Sequence, residues 1–166
     1  MIQEFSVENF RSIKTKQTVS FLANPKLHTE FDGYLTTRIN GTVNLLKACL
    51  LYGYNASGKS NLLLALDFLR SLIISGPSTK EDQTGFVPFA LDADTVKQPG
   101  TFTLIFFIGG IRYEYVVSLD AYHITHESLR YTPERRITTL FTRVYDQEHA
   151  VSRLTIGQSC GLSAKD

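Results

Sequence analysis

Between residues 53 and 60 the chain reads Gly53-Tyr54-Asn55-Ala56-Ser57-Gly58-Lys59-Ser60. This octapeptide matches the pattern GxxxxGK[ST] at every fixed position. A loop of this kind wraps closely around a polyphosphate, and a side chain at either Gly53 or Gly58 would obstruct the approach of the backbone amides. Lys59 can bridge phosphate oxygens, and the hydroxyl of Ser60 can ligate Mg²⁺. The pattern therefore predicts a loop that binds a nucleoside triphosphate with its metal.

The sequence on both sides of this loop predicts a strand, the loop and a helix in direct succession. Residues 45–52, LLKACLLY, are almost continuously apolar, which is typical of a strand covered on both faces of a parallel sheet. Residues 59–75 place leucine and isoleucine at helical spacing, and Gly76-Pro77 ends that pattern. We expect a central parallel strand and a helix of about four turns. The amides at the start of that helix would favour an anion.

Earlier in the chain, residues 2–10 and 17–22 have the composition and alternation of two short strands, and we expect them to pair as edge strands. Asn24-Pro25 interrupts this pattern. The residues up to 44 show no clear period, so the sequence predicts an irregular excursion there.

The chain changes character near Gly76-Pro77, which divides residues 1–166 into parts 1–76 and 77–166 of one domain. In the second part, two β-rich runs flank Gly109-Gly110, a pair suited to a tight turn with positive φ. Residues 122–131 and 137–145 flank a turn at 132–134 and suggest a second hairpin. The second part is therefore predicted to be antiparallel.

Composition excludes several classes of protein. The chain has 166 residues, 43% hydrophobic and 20% charged, which is typical of one globular domain. Its apolar runs are shorter than the roughly 18 residues that span a bilayer, and no secretion signal begins it, so we expect a cytoplasmic protein without membrane contact. A net charge of +1 provides no global attraction to nucleic acid. Cys49 and Cys160 lack metal-site spacing.

Two segments carry a family resemblance. GYNASGKSNLLLAL at the loop and VENFRSIK near the N-terminus resemble the first lobe of ABC-type ATPases of the RecF, SMC and OLD branch, within the AAA family, as found in bacterial anti-phage defence systems. The motif YxY at 113–115 followed by IxxExL at 124–129 is similar to the same lobe. The resemblance covers residues 2 to about 145, and it implies an α/β P-loop NTPase fold that binds ATP and Mg²⁺.

The resemblance also implies site residues beyond the loop itself. Arg11 and Ser12 would line the nucleotide pocket, with the Arg11 guanidinium near phosphate or ribose, although Arg11 is also compatible with a solvated position at a strand end. Ala56 stands where many members of the branch have glycine. Gln83 could sense magnesium and the γ-phosphate, but no spacing prefers it over a loop glutamine. With Lys59 as the catalytic residue and Ser60 on the metal, the predicted nucleotide-binding set is Arg11, Ser12, Gly53, Tyr54, Asn55, Ala56, Ser57, Gly58, Lys59, Ser60 and Asn61.

A hydrolytic site also needs an apolar strand ending in Asp-Glu to hold Mg²⁺ and polarise the attacking water. Asp120 continues into Ala-Tyr, and Glu81-Asp82 follows no apolar run. Residues 157–163 do not supply an LSGGQ-like signature either. In the resembling family these elements come later, so we expect this chain to be the N-terminal part of a longer ATPase, without its second lobe and inactive in hydrolysis by itself.

By resemblance, the expected function is an ATP-dependent switch in which a homodimer sandwiches ATP and controls an effector protein during phage infection. One alternative is a RecF-like DNA-binding or repair module, because several arginines fall on the second predicted hairpin: Arg130, Arg135, Arg136 and Arg143. A P-loop small-molecule kinase is a lower alternative that the antiparallel block disfavours. His123 and His126 would point to opposite faces of a strand, which argues against a metal pair.

Overall fold

The computed structural model describes residues 1–24, 32–76, 79, 82–133 and 136–157. It contains two helices, α1 (Asp32–Leu35) and α2 (Lys59–Ser75), and a 3₁₀ turn at Thr95–Lys97. Its nine strands are β1 (Ile2–Glu8), β2 (Gln17–Ser20), β3 (Thr36–Ile39), β4 (Val43–Leu46), β5 (Gly100–Ile108), β6 (Ile111–Leu119), β7 (Ile124–Thr132), β8 (Thr138–Asp146) and β9 (Val151–Ile156).

Seven of these strands form one sheet in the order β2-β1-β5-β6-β7-β8-β9. Each neighbouring pair in this order is antiparallel. The turn between β5 and β6 lies at Gly109 and Gly110, whose φ angles of 57° and 80° suit glycine. Strands β7 and β8 pair in the same way. Both predicted hairpins are therefore confirmed.

The N-terminal strands belong to this same sheet. The predicted pairing of β1 with β2 is confirmed, with Phe5 opposite Val19. On its other side β1 pairs with β5, which places Phe5 opposite Leu104 almost a hundred residues away. β1 is therefore an interior strand, and only β2 lies at the edge, contrary to the expectation of two edge strands. Strand β9, for which the sequence gave no prediction, extends the opposite side.

Helix α2 has the predicted bounds and packs on the sheet. Its buried residues, Ala65 and Leu69, join a core that includes Phe10 and Phe102. The rings of Phe10 and Phe102 meet edge to face with centroids 5.4 Å apart, an arrangement that aromatic pairs favour. The helix ends at Gly76, whose amide donates to carbonyl oxygens of the last turn. This packing fixes the start of α2, and with it the loop, relative to the sheet.

The predicted central parallel strand at residues 45–52 is wrong for the described part of the chain. Only Leu45 and Leu46 lie in a strand, β4, which pairs antiparallel with β3 in a separate two-stranded sheet. Leu45 is fully buried, whereas Leu50 and Tyr52 are 89% and 94% exposed. Among the described residues no strand lies beside 47–52, so this run lacks the ladder partners and covering layers of a buried strand. An apolar run alone does not reveal whether those neighbours are present.

Residues 24–44 are less irregular than predicted. They contain the hairpin of β3 and β4, whose turn has Asn40 and Gly41 at positive φ. Asn-Gly is a strong hairpin signal, but each strand is only four residues long, too short for a visible alternation. Residues 25–31 of the predicted excursion lie outside the described residues. No helix in the described ranges has the length and apolarity needed to cross a membrane.

Candidate functional site

The loop at residues 53–58 leads directly into α2 and depends on unusual backbone angles. Gly58 is the N-cap of α2 with φ of 90°, a conformation that residues with a side chain rarely adopt. An added Cβ at Gly58 would lie 3.5 Å from Ser12 Oγ. Ala56 has φ of 62°, which explains why glycine is common there in the resembling branch. The loop backbone thus remains bare where a ligand would approach.

The ammonium group of Lys59 lies inside the curve of this loop. Its Nζ donates hydrogen bonds to the carbonyl oxygens of Gly53 and Tyr54 at 2.8 and 2.7 Å, and contacts Ser57 Oγ at 3.3 Å. The positive charge is therefore held among oxygen atoms of the loop itself. A phosphate oxygen placed in this curve would meet the same cation.

The first turn of α2 offers further groups to an anion. Gly58 caps the helix without a side-chain hydrogen bond, so the first amides keep their capacity to bind a ligand. Ser60 is exposed in this turn. Among the described residues no group of three or more His, Cys, Asp or Glu side chains could hold a metal ion. Mg²⁺ at this position would therefore be held by the Ser60 hydroxyl together with phosphate oxygens.

A turn between β1 and β2 brings Ser12 to the loop. Phe10 and Ile13 exchange backbone hydrogen bonds of 2.9 and 2.8 Å across this turn. Asn61, in the first turn of α2, donates from Nδ2 to Ser12 Oγ at 2.6 Å. The structure thus places Ser12, Gly58 and Asn61 together, although they come from distant parts of the sequence.

Arg11 lies beside this group but faces differently. Its guanidinium carbon is 5.5 Å from the centroid of the Phe10 ring, and its amide donates to the carbonyl of Val87 at 2.9 Å. The side chain is exposed and does not belong to the cleft wall. Its predicted contact with phosphate or ribose stays a prediction.

A cleft of about 510 Å³ runs along the loop. One wall is the turn at residues 12–15 with Gln17, the other is formed by residues 57–59 with Leu62, and Leu51 and Tyr52 also contribute. Small-molecule sites commonly have volumes of about 300–1,000 Å³. The cleft is therefore large enough for a nucleotide whose phosphates lie against Lys59. Tyr54 and Asn55 are exposed at the rim of the loop.

Asn9 supports this site, and the sequence analysis missed it. Its side chain is buried, donates to the carbonyls of Thr95 and Gln98 at 2.8 and 2.9 Å, and accepts from the amide of Phe89 at 2.9 Å. A buried amide needs such partners. The available signal was an asparagine directly after the apolar alternation of β1, a residue type that favours turns and tolerates the positive φ of 52° observed here.

The other polar candidates do not reach the cleft. Gln83 approaches the Tyr122 hydroxyl at 3.5 Å. Asp120 closes the turn after β6, since its Oδ1 accepts from the amides of Tyr122 and His123 at 2.8 and 2.7 Å. Asp82 accepts from the amide of Thr79 at 2.9 Å, and Glu81 lies outside the described residues. The cleft walls in the described ranges therefore contain none of the acids considered for metal binding and water activation.

The predicted arginine cluster does not form one surface among the described residues. Arg143 lies opposite Glu127 in the sheet and pairs with it at 2.6 Å. Arg130 is three residues from Glu127, so it points to the other face, where Glu114 lies 3.6 Å away. Arg136 is exposed, and Arg135 lies outside the described residues. The observation that favoured a DNA-binding module is thus lost for Arg130 and Arg143.

The tyrosine and glutamate motif contributes to the sheet rather than to the cleft. Tyr115 donates from its hydroxyl to Glu127 Oε1 at 2.6 Å, and Glu127 also binds Arg143. Burial, and then the bond to Glu127, raise the pKa of Tyr115 far above its ordinary value. These residues form a polar chain on the face that α2 partly covers, which is a structural role.

Comparison with known proteins gives one family. A family model described as "AAA domain, putative AbiEii toxin, Type IV TA system" matches residues 50–152, which is more than half of the chain. The match contains the loop, all of α2 and strands β5 to β8. No curated protein matches the chain.

Proposed function

Since this chain belongs to the family described as AAA domain, putative AbiEii toxin, Type IV TA system, it is a P-loop domain of the ATPase type, and we propose that it binds ATP with Mg²⁺ in the cleft beside Lys59. Domains of this family generally use ATP with Mg²⁺. The observation that carries the proposal is the position of the Lys59 ammonium inside the loop, next to the uncapped start of α2. In this site the loop binds the phosphates, Lys59 neutralises their charge and Ser60 ligates the metal.

We further propose that this site is a switch of the RecF, SMC and OLD type, in which two copies sandwich ATP. The support is the resemblance of the loop and of VENFRSIK to that branch, together with the exposure of Tyr54 and Asn55 at the rim. A second copy could reach a nucleotide across this rim. Control of an effector protein in phage defence is part of the same proposal, because it also comes from that resemblance.

Hydrolysis requires an acid that the described cleft walls do not contain, so we propose that a further layer supplies it. The support is a set of exposed apolar side chains around the loop and on the outer side of α2. Leu50 and Tyr52 are 89% and 94% exposed, and Leu63 and Leu64 are 60% and 42% exposed. Apolar side chains grouped in this way are typical of a surface that another element covers.

Nucleotide binding is tested by titrating the chain with a fluorescent ATP analogue in the presence and absence of Mg²⁺. Replacing Lys59 with alanine removes the cation from the phosphates, and we expect an affinity loss of about a hundredfold. Lys97→Ala is the matched control, because Lys97 is exposed in the 3₁₀ turn and lies outside the cleft. Equal affinities of the wild type and Lys59→Ala would reject the proposed site.

The switch is tested separately by measuring molar mass with light scattering after size-exclusion chromatography. With ATP and Mg²⁺ we expect twice the mass of the ligand-free chain, and no such change in Lys59→Ala. A wild-type chain that binds ATP and keeps its original mass would contradict pairing while leaving nucleotide binding intact.

A further inference from the structure

The contact between Ser12 and Asn61 joins two walls of the cleft. Ser12 follows the turn after β1, and Asn61 lies in the first turn of α2. The Nδ2 of Asn61 is 2.6 Å from Ser12 Oγ, and Ser12 Oγ is also close to the backbone of Gly58. The pair therefore lies directly beside the amides at which a polyphosphate would bind.

The direction of this hydrogen bond determines what Ser12 can still do. Because Asn61 donates, Ser12 Oγ accepts, and the hydroxyl hydrogen must point elsewhere. Ser12 donates no side-chain hydrogen bond to another residue in the described ranges, and it belongs to the cleft wall. The hydroxyl thus remains a donor toward the cleft.

The turn that carries Ser12 is held in place independently of any ligand. Asn9 and Arg11 both adopt φ of 52°, which is unfavourable for residues with a side chain. The buried amide of Asn9 and the bond from the Arg11 amide to Val87 O keep this conformation. Ser12 is therefore presented at a preset position, which lowers the ordering cost of a contact.

From these observations we infer that Asn61 is a positioning residue that orients the Ser12 hydroxyl as a donor to an oxygen of the bound polyphosphate. The inference rests on the proposed nucleotide site and adds a donor from outside the loop to it. Ser12 would contact the ligand directly, whereas Asn61 would act only through Ser12. A hydrogen bond to a charged phosphate is stronger than one between neutral groups.

The test is a double-mutant cycle in the affinity for the fluorescent ATP analogue with Mg²⁺. We expect Ser12→Ala to weaken binding about tenfold, the effect of one charge-assisted hydrogen bond. Asn61→Ala should weaken binding less, and it should have no further effect in the Ser12→Ala background. Ser12→Thr retains the hydroxyl and should retain most of the affinity.

A merely structural bond would give a different result. Thr101→Ala is the matched control, because Thr101 shares a hydroxyl bond of 2.9 Å with Ser118 in the sheet; we expect no change in affinity there. Unchanged affinity in Ser12→Ala, or independent losses that add in the double variant, would overturn the inference. If Ser12→Ala does not fold, Asn61→Ala decides: a loss of affinity at unchanged Tm supports the inference, and unchanged affinity rejects it.

The failure of this inference differs from the failure of the proposed function. If the wild type binds the analogue and Lys59→Ala does not, the site stands whatever Ser12 contributes. If the wild type does not bind the analogue at all, the proposed function itself fails, and the role of Ser12 fails with it.

Discussion

The antiparallel sheet and the loop segment at residues 47–58 have shapes that are fixed by different forces. In the sheet, Phe102, Val117 and Leu119 are fully inaccessible to solvent, and their strands pair along their whole length. In the loop segment most side chains are exposed, and the conformation depends on the bonds of Lys59 and on glycine angles. The comparison shows that the sheet is a scaffold held by burial, whereas the site is held by a few directional bonds.

Substituting one buried and one exposed apolar residue would test this difference most strongly. Phe102→Ala should lower the free energy of unfolding by about 3–5 kcal/mol, because it removes a ring that contacts Phe10 and Phe68 and leaves a cavity. Leu50→Ala should change it by less than about 0.5 kcal/mol. Urea unfolding measures both values. Similar losses in the two variants would show that residues 47–52 are as well packed as the sheet.

Asn9 connects the two regions, and its removal should have the next largest effect. Asn9→Ala leaves the Thr95 and Gln98 carbonyls and the Phe89 amide without their side-chain partner, which should cost about 2–3 kcal/mol. The exposed Asn44 provides the control, with an expected change below about 0.5 kcal/mol on replacement by alanine. Equal Tm values for Asn9→Ala and the wild type would mean that the turn beside the loop does not depend on this amide.

Tyr115 tests the sheet through pH. Its pKa is higher in the folded chain than in the unfolded chain, chiefly through burial, so its contribution to stability is complete below the unfolded pKa and is lost as the pH rises above about 10. The wild type should therefore lose stability more steeply above that pH than Tyr115→Phe. Near neutral pH, Tyr115→Phe should cost about 1 kcal/mol for the bond to Glu127.

The control for this titration is Tyr113→Phe. Tyr113 stacks between Phe106 and Tyr131, and its hydroxyl makes no hydrogen bond to a side chain in the described part of the chain, so its variant should follow the wild-type pH curve. Parallel curves for Tyr115→Phe and the wild type would show that the Tyr115 hydroxyl titrates normally.

The smallest effect should come from the surface of the sheet. Arg130 is 45% exposed and its contact with Glu114 is long, at 3.6 Å. Arg130→Ala should therefore change the free energy of unfolding by less than about 0.5 kcal/mol. Arg143→Ala should cost more, because Glu127 is only 14% exposed and lies 2.6 Å from the Arg143 guanidinium. Equal costs would show that burial does not distinguish the two faces.

Local sequence patterns predicted the features that neighbouring residues determine. Helix α2 and the hairpin at Gly109-Gly110 depend on spacing within a short window, and both were predicted correctly. The pairing of β1 with β5 joins residues far apart in the chain, and no local pattern encodes it. The apolar run at 45–52 was misinterpreted for the same reason, since burial on two faces depends on distant neighbours.

The candidate site shows the same division between local and distant information. The glycines, Lys59 and Ser60 could be located from one octapeptide, because their spacing follows from the geometry of a phosphate-binding loop. The resemblance named Ser12 and Asn61 as separate members of the site, but their mutual contact needed the fold. Asn9 went unnoticed because an asparagine whose partners lie at residues 89–98 resembles an ordinary turn residue in the sequence.

The bonds between Lys59 and the carbonyls of Gly53 and Tyr54 make the loop a competitor of its own ligand. Any anion that binds Lys59 must displace oxygens that already hold the cation, so the measured affinity is the difference between two sets of contacts. A substitution that weakens the internal set, such as Ser57→Ala at the 3.3 Å contact, would leave the loop less rigid and the anion more tightly bound. Rigidity and affinity are thus opposed at this position.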